Sequence, residues 1–287
     1  MKKMMFALLG LMIFSISART SFAQGTLPTY EGSEAWPLRY SPMFAVGGGD
    51  GGYIDNTNMD VLDGYQSNVL VIAKDTFVSG QPTDRHGNKF DIVMSWLGPF
   101  GDEVSLSCNN NWQARHKSYP AAMTIMDNGV STVKCSSQQK TVQTGWMMYR
   151  IRPDENGAPS LSVKNNIVLR KGGEVVGQAT LDAVEASRNW TFFANKTTGL
   201  SLANPSGLTI KVNLVLRDGG GSVVYSTSAT LGPWMQVSKF VLDFIPQLSS
   251  RFEGRVELSS ADPFLAAGLL TSTASTGLFT FSTLSAQ

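Results

Sequence analysis

A period of two governs the stretch from Ile210 to Arg217. Ile210, Val212, Leu214 and Leu216 share one face, while Lys211, Asn213 and Arg217 share the other. Alternation of this kind puts one face of a strand on a core and the other in water. RDGGGS follows at once, and then the apolar run Val223, Val224, Tyr225. Asp-Gly between two apolar runs signals a hairpin, because glycine enters positive φ without steric cost. The wider stretch, Thr198 to Leu270, therefore predicts an antiparallel β-sandwich.

Upstream the same grammar recurs. Val69 to Ala73 is a continuous apolar run expected to form a buried strand. Phe90, Ile92, Met94 and Trp96 alternate, and Leu97-Gly-Pro-Phe-Gly turns the chain. GWMMYRI at 145–151 is expected as a strand, and PDENGAP after it is built of turn-forming residues. Leu161, Val163, Ile167 and Leu169 alternate before KGGE, and Val175 to Val184 predicts a further strand. Helical periodicity is nearly absent. Its one instance is Phe240, Val241, Phe244 and Ile245, a helix near 239–245 limited to about two turns by Pro246. FEGRVELSS and PFLAAGLL are expected as two strands, with GLFTFSTL as the last. The reading is all-β: two antiparallel β-sandwich domains in tandem. It places a leader at 24–42, the first sandwich at 43–186 and the second at 187–287.

The first residues carry a different pattern. Lys2 and Lys3 precede a short apolar run, Met4 to Ile16, and Ser21-Phe22-Ala23 supplies small residues where a signal peptidase reads. This predicts a signal peptide over 1–23, cleaved before Gln24, because the run is too short to cross a bilayer. Cleavage removes three basic residues and no acid, leaving 20 basic against 22 acidic side chains over 264 residues. A near-neutral chain lacks the electrostatic footprint of a nucleic-acid binder. The expected location is periplasmic, secreted or at the cell surface. Export also places the two cysteines, Cys108 and Cys135, where disulfides form. A bridge between them would close a loop of about 27 residues and stabilise by roughly 3–4 kcal/mol.

The stretch TGLSLANPSG…VNLVLRDGGGSVV…FIPQL…FEGRVELSS…PFLAAGLL, over residues 197–271, resembles a recurrent β-sandwich module of exported bacterial proteins. The resemblance implies an immunoglobulin-like fold for the second sandwich, 187–287, and an extracellular setting, and it implies no chemistry. Gly219-Gly220-Gly221 widens the hairpin turn relative to that module. The Cys108–Cys135 region reads as an insertion peculiar to this chain.

Catalytic signatures are weak. No G-x-S-x-G elbow is present, and neither GGGDGG nor RDGGGS continues into the Lys-Ser/Thr of a phosphate loop. His86, with Asp84, and His116 sit in polar stretches read as solvated loops. Asp102-Glu103 and Asp154-Glu155 fall in turns. Asp50, Asp55, Asn58, Asp60 and Asp63 supply oxygen donors within 47–64, but their spacing is not that of an EF-hand. That segment reads as a turn, with a calcium loop as the alternative.

The aromatic signal is stronger. Trp112 and Trp234, set among polar or turn residues, are the candidate ligand-binding side chains, while Trp96, Trp146 and Trp190 are expected to plug cores. The sequence thus predicts an exported, non-enzymatic protein with a structural, adhesive or cell-surface role, no cofactor and no metal. The expected partners are a cell-surface glycan or another extracellular protein. No nucleic acid and no spanning of the membrane are expected, and self-association through edge strands is open. A carbohydrate- or other ligand-binding module is the alternative. An outer-membrane barrel or an unrecognised hydrolase stands behind that.

Overall fold

Every strand pairing in the computed structural model is antiparallel. It describes residues 33–49, 63–73, 91–100, 104, 107–108, 121–123, 130–137, 139–195, 197–246, 248, 252–273 and 279–284. The signal segment 1–23, most of the 47–64 acidic stretch, His86, His116 and Trp112 lie outside them. Nine strands form the first sheet: β1 (Leu38–Gly47), β2 (Gly64–Ala73), β3 (Ile92–Leu97), β4 (Ser107–Cys108), β5 (Ala121–Met123), β6 (Val130–Ser136), β7 (Val142–Ile151), β8 (Leu161–Lys171) and β9 (Glu174–Asp182). β1 starts inside the segment read as a leader and takes its last five residues into the sheet.

Register shows that this sheet is folded into two layers. β2 is paired along its length with β6 on one side and β8 on the other, and β9 and β4 extend that layer. β7 is paired with β1 and β3, and β5 extends the second layer. The layers join where Gly47 faces Tyr65. Val69, Val71, Val133, Leu161 and Val163 from one layer meet Phe44, Ile92, Met94, Trp96, Met147 and Tyr149 from the other in one core. Within the run at 69–72 Val69 and Val71 are fully buried while Leu70 and Ile72 are partly exposed, so the run read as a buried strand has one half-exposed face.

The second sheet holds β10 (Ser187–Asn195), β11 (Thr198–Ala203), β12 (Ile210–Asp218), β13 (Val223–Leu231), β14 (Gln236–Phe240), β15 (Glu253–Thr273) and β16 (Phe279–Leu284). A single helical turn, α1 (Val241–Phe244), follows β14. It is shorter than the two turns expected, because Ile245 leaves helical geometry one residue ahead of Pro246. Ile210, Val212, Leu214 and Leu216 are buried as their alternation requires.

β15 corrects the expectation of two strands at FEGRVELSS and PFLAAGLL. It is one strand of 21 residues. Its first part pairs with β10 and β12 up to Ser259, β10 pairs once more where Ser187 faces Phe264, and its second part pairs with β11 from Leu265 and with β16 from Gly268. The chain changes layer across 260–264, where the β10 register is interrupted and Pro263 has no N–H for a ladder. Between the layers lies a second core of Trp190, Phe192, Leu202, the β12 face, Val256, Leu258 and Phe264.

The two sheets also pack on each other. Tyr40, Leu97, Trp146 and Met148 meet Ala203 and Leu265, and Ala45, Ile167, Ala179 and Leu181 meet Ala267 and Leu269. β7 is therefore buried on both faces over 145–149, which explains why Trp146, Met147, Met148 and Tyr149 follow one another without a polar residue between them.

Two glycines permit close strand approach. A Cβ on Gly145 would lie 2.0 Å from the Leu97 carbonyl oxygen and 2.6 Å from the Phe44 ring. One on Gly254 would lie 2.0 Å from the Arg217 carbonyl oxygen. Gly254→Ala is expected to destabilise by about 1–3 kcal/mol through forced overpacking. Gly219→Ala, where a Cβ meets nothing within 4 Å, should stay within about 0.5 kcal/mol. Urea denaturation of the two variants checks the contrast.

Candidate functional site

Of the two candidate aromatics, the described residues include Trp234. It sits in the turn between β13 and β14 with φ of 59°, the one non-glycine at positive φ among the described residues. For a bulky side chain that conformation is strained. Both backbone groups are held: Trp234 N–H donates to the Ser206 carbonyl at 3.0 Å, and its carbonyl accepts the Trp146 indole N–H at 3.0 Å. Its half-buried ring lies over Gly207, where a Cβ would be 3.7 Å away, and packs against the contact between the sheets. Leu208, in the loop that Trp234 covers, is 63% exposed.

Asn204, the Asn of the ANP motif, builds that loop. Its Nδ2 donates to the carbonyls of Leu208 at 2.6 Å and Gly232 at 2.8 Å, and its Oδ1 accepts the Ser206 N–H and hydroxyl. Fully buried Asn204 thus clamps the 204–208 loop to the turn that carries Trp234.

Beside Trp234 runs a polar seam between the sheets. Buried Gln236 directs its Nε2 to the carbonyls of Pro42 and Gly145 and to the Ser201 hydroxyl, each at 2.8 Å. An amide has two hydrogens, so one is shared among these three acceptors. The Ser201 hydroxyl donates in turn to the Pro42 carbonyl at 2.8 Å, and Gln236 N–H donates to the Pro99 carbonyl at 2.9 Å. The Pro42 carbonyl is available because β1 shifts register between Ser41 and Phe44. A bulge turns carbonyls out of the ladder. Asn165 takes the other, donating to the Met43 carbonyl at 3.0 Å. Gln236, Ser201 and Asn165 carry no motif. The only signal in the sequence is a polar residue amid apolar strand positions.

The outer face of the β10–β15–β12–β13 layer is solvated at alternate positions. Cross-strand register lines up Ser228, Asn213, Ser259 and Asn189, and beside them Ser226, Val215, Glu257 and Thr191. Glu257 accepts from Arg217 Nε at 2.8 Å and from Arg255 Nε at 2.9 Å. The hydrogen bond from Arg217 holds Glu257 below the usual carboxylate range, against the opposing effect of burial and with Arg255 adding to it. Phe193, opposite Arg255, is 45% exposed. Trp190 and Phe192 are buried, so the alternation of the strand turns Phe193 outward.

Carboxylates elsewhere are engaged locally. Asp63 accepts the Gly173 N–H at 3.1 Å, and the backbone N–H groups of Gly172 and Gly173 hold it below its usual range. Asp154 and Asp218 each accept two backbone N–H groups in their own turns. Asp91 is buried against Arg152 at 3.1 Å. Among the described residues no three His, Cys, Asp or Glu side chains converge as a metal site would need. Cys108 and Cys135 stand directly opposite each other in the β4–β6 pair. No helix among the described residues is long and apolar enough to cross a membrane.

The chain matches no protein-family model. No characterised protein shows significant sequence similarity to it. Among solved structures, the pilus adhesin SpaC from Lactobacillus rhamnosus GG aligns with 77% of this chain at 10% identity, with a TM-score of 0.14. The match covers 25% of the adhesin, so the chain spans about a quarter of that protein's length. An overlap that loose bears on neither fold nor function.

The seam yields a direct test. Gln236→Leu removes the buried donor shared by the Pro42 and Gly145 carbonyls, and should cost about 1–3 kcal/mol. Gln236→Glu should cost more, because it sets a carboxylate against those two carbonyl oxygens. Urea midpoints of the two variants, with unchanged slopes, would show the effect.

Proposed function

We propose that this chain is an exported, non-enzymatic protein with a structural or adhesive role at the cell surface. Residues 1–23 leave before Gln24, and the mature part is two sandwiches, 43–186 and 187–287. The observation that supports this most is the seam between the sheets. Gln236, Ser201 and the Trp146–Trp234 bond tie the two sheets together through buried hydrogen bonds. Two sheets joined in this way suit attachment or assembly better than turnover, which draws on mobile loops around converging groups. A Cys108–Cys135 disulfide belongs to the same reading. Directly opposed residues of an antiparallel pair have Cα atoms about 4.5–5.5 Å apart, within the span that a disulfide bridges. Fractionation of the native host with mass spectrometry of the protein tests the proposal. Recovery outside the cytoplasm, beginning at Gln24 and lighter by two thiol hydrogens, is expected. Cytoplasmic recovery with residues 1–23 intact and both thiols free would overturn it.

A second reading makes Trp234 a ligand-binding residue for a glycan. The strained backbone at Trp234 favours it, since residues held at such φ values cluster at binding sites. Glycan-array binding that drops roughly tenfold or more in Trp234→Ala is the expected result. Binding that survives the substitution removes Trp234 from the site.

A further inference from the structure

We propose that two copies of this chain pair through β13, antiparallel, about a two-fold axis at Thr227. The inference holds wherever the protein resides and does not rest on the surface role proposed above. It starts from the sheet order. Among the described residues β13 pairs with β12 alone and ends its sheet. A strand in that position presents a row of N–H and C=O groups that can template another chain.

Natural edges are commonly blunted by charge, brevity or cover. The other described edges carry such protection. β4 and β5 have two and three residues. β9 carries Glu174 and Asp182, β10 carries Arg188 and β14 carries Lys239. β16 is uncharged but lies alongside β9. β13 has nine residues, VVYSTSATL, without a charge or a proline. Val223 is 55% and Val224 49% exposed at its start. Its register with β12 runs unbroken from Leu231 to Tyr225, and the irregularity falls only at the hairpin end.

The occupant follows from the side chains. An antiparallel pair centred on Thr227 is the one register that pairs all nine residues. Thr227 then faces Thr227 of the second copy, and Ser226 faces Ser228. Tyr225 faces Ala229, Val224 faces Thr230, and Val223 faces Leu231. Large sits opposite small at Tyr225, hydroxyl opposite hydroxyl at Ser226 and Thr227, apolar opposite apolar at Val223, and two β-branched side chains meet at Val224, which are favourable cross-strand pairs. No charge on β13 meets its like, so self-pairing carries no electrostatic penalty along the strand. The inner-face residues Tyr225 and Ala229 already pack at the margin of the second core. Pairing would therefore continue that layer as β10–β15–β12–β13 into the same four strands of the second copy. Such an interface is isologous and closes after two copies. Its small area predicts a weak, concentration-dependent dimer.

The test is sedimentation velocity on the full mature chain over a concentration series to about 1 mM. A dimer that grows with concentration is expected. The double variant Ser226→Lys, Ser228→Lys puts like charges opposite each other at exposed positions, and should weaken the dimer roughly tenfold or more. Its thermal midpoint should match the parent chain. In parallel, Thr227→Cys should form a covalent dimer on mild oxidation, because the two Cα atoms lie within disulfide span. The parent chain under the same oxidation should not. A monomer throughout the series, a dimer indifferent to the two lysines, or a Thr227→Cys chain that does not cross-link to itself would each overturn the proposal. The cross-link decides the matter should the double variant fold poorly.

Discussion

The upper and lower layers of the second sheet share the same 21 residues. Glu253–Ser259 lies between β10 and β12, while Leu265–Leu270 pairs with β11 and the strand's end with β16. Neither layer can slide on the other, because a slip in one drags the register of the other through 260–264. A one-residue slip would also turn Val256, Leu258 and Phe264 out of the core that they fill. Gly254 is part of the same constraint. It lets β15 approach β12 so closely that a methyl group would collide with the Arg217 carbonyl. The placement of β10, β11, β12 and β16 follows from this one strand.

The contact between the sheets depends on an irregularity in β1. Successive carbonyls of a regular strand point to opposite sides, so the ladder with β7 would take one of the Pro42 and Met43 carbonyls. The shift between Ser41 and Phe44 leaves both residues out of that ladder, and their carbonyls accept from Gln236 and Ser201 and from Asn165. A released buried carbonyl costs free energy unless a donor reaches it, so the bulge and the three polar side chains make sense only together. The Trp146–Trp234 bond works in the same way. The indole nitrogen of a fully buried Trp146 needs an acceptor. The acceptor it finds is the carbonyl of a residue whose backbone is bent to positive φ.

The parts legible in the sequence were those with a period. The β12 face, the shared core of Ile92, Met94 and Trp96, the hairpin at Asp218 and the burial of Trp96, Trp146 and Trp190 all follow from local pattern and agree with the structure. In β8 the alternation holds for Leu161, Val163 and Ile167, but Val168 is buried and Leu169 partly exposed. What escaped was set by distant partners. The turn-like Ser-Ala-Asp-Pro at 260–263 argues for a break, and only the pairing of its two flanks with different strands makes β15 continuous. Gln236, Ser201 and Asn204 look like ordinary polar residues, since their acceptors lie up to 194 positions away in sequence. Trp234 was legible as an unusual tryptophan. Its backbone strain and its indole-accepting carbonyl were not, because neither has a residue pattern.

The order in which the chain is made gives the closing strand a further meaning. β15 lies near the C-terminal end, yet it forms the middle of both layers of the second sheet. Trp190 donates to the Phe264 carbonyl across 74 positions, and β11 has no neighbour toward β16 until β15 is in place. The early strands of that half must therefore wait as open edges while synthesis continues. Emergence of residues 253–273 then completes β10, β11 and β12 together. Folding of this half is consequently a late, cooperative event with high contact order, governed by the arrival of its last long strand.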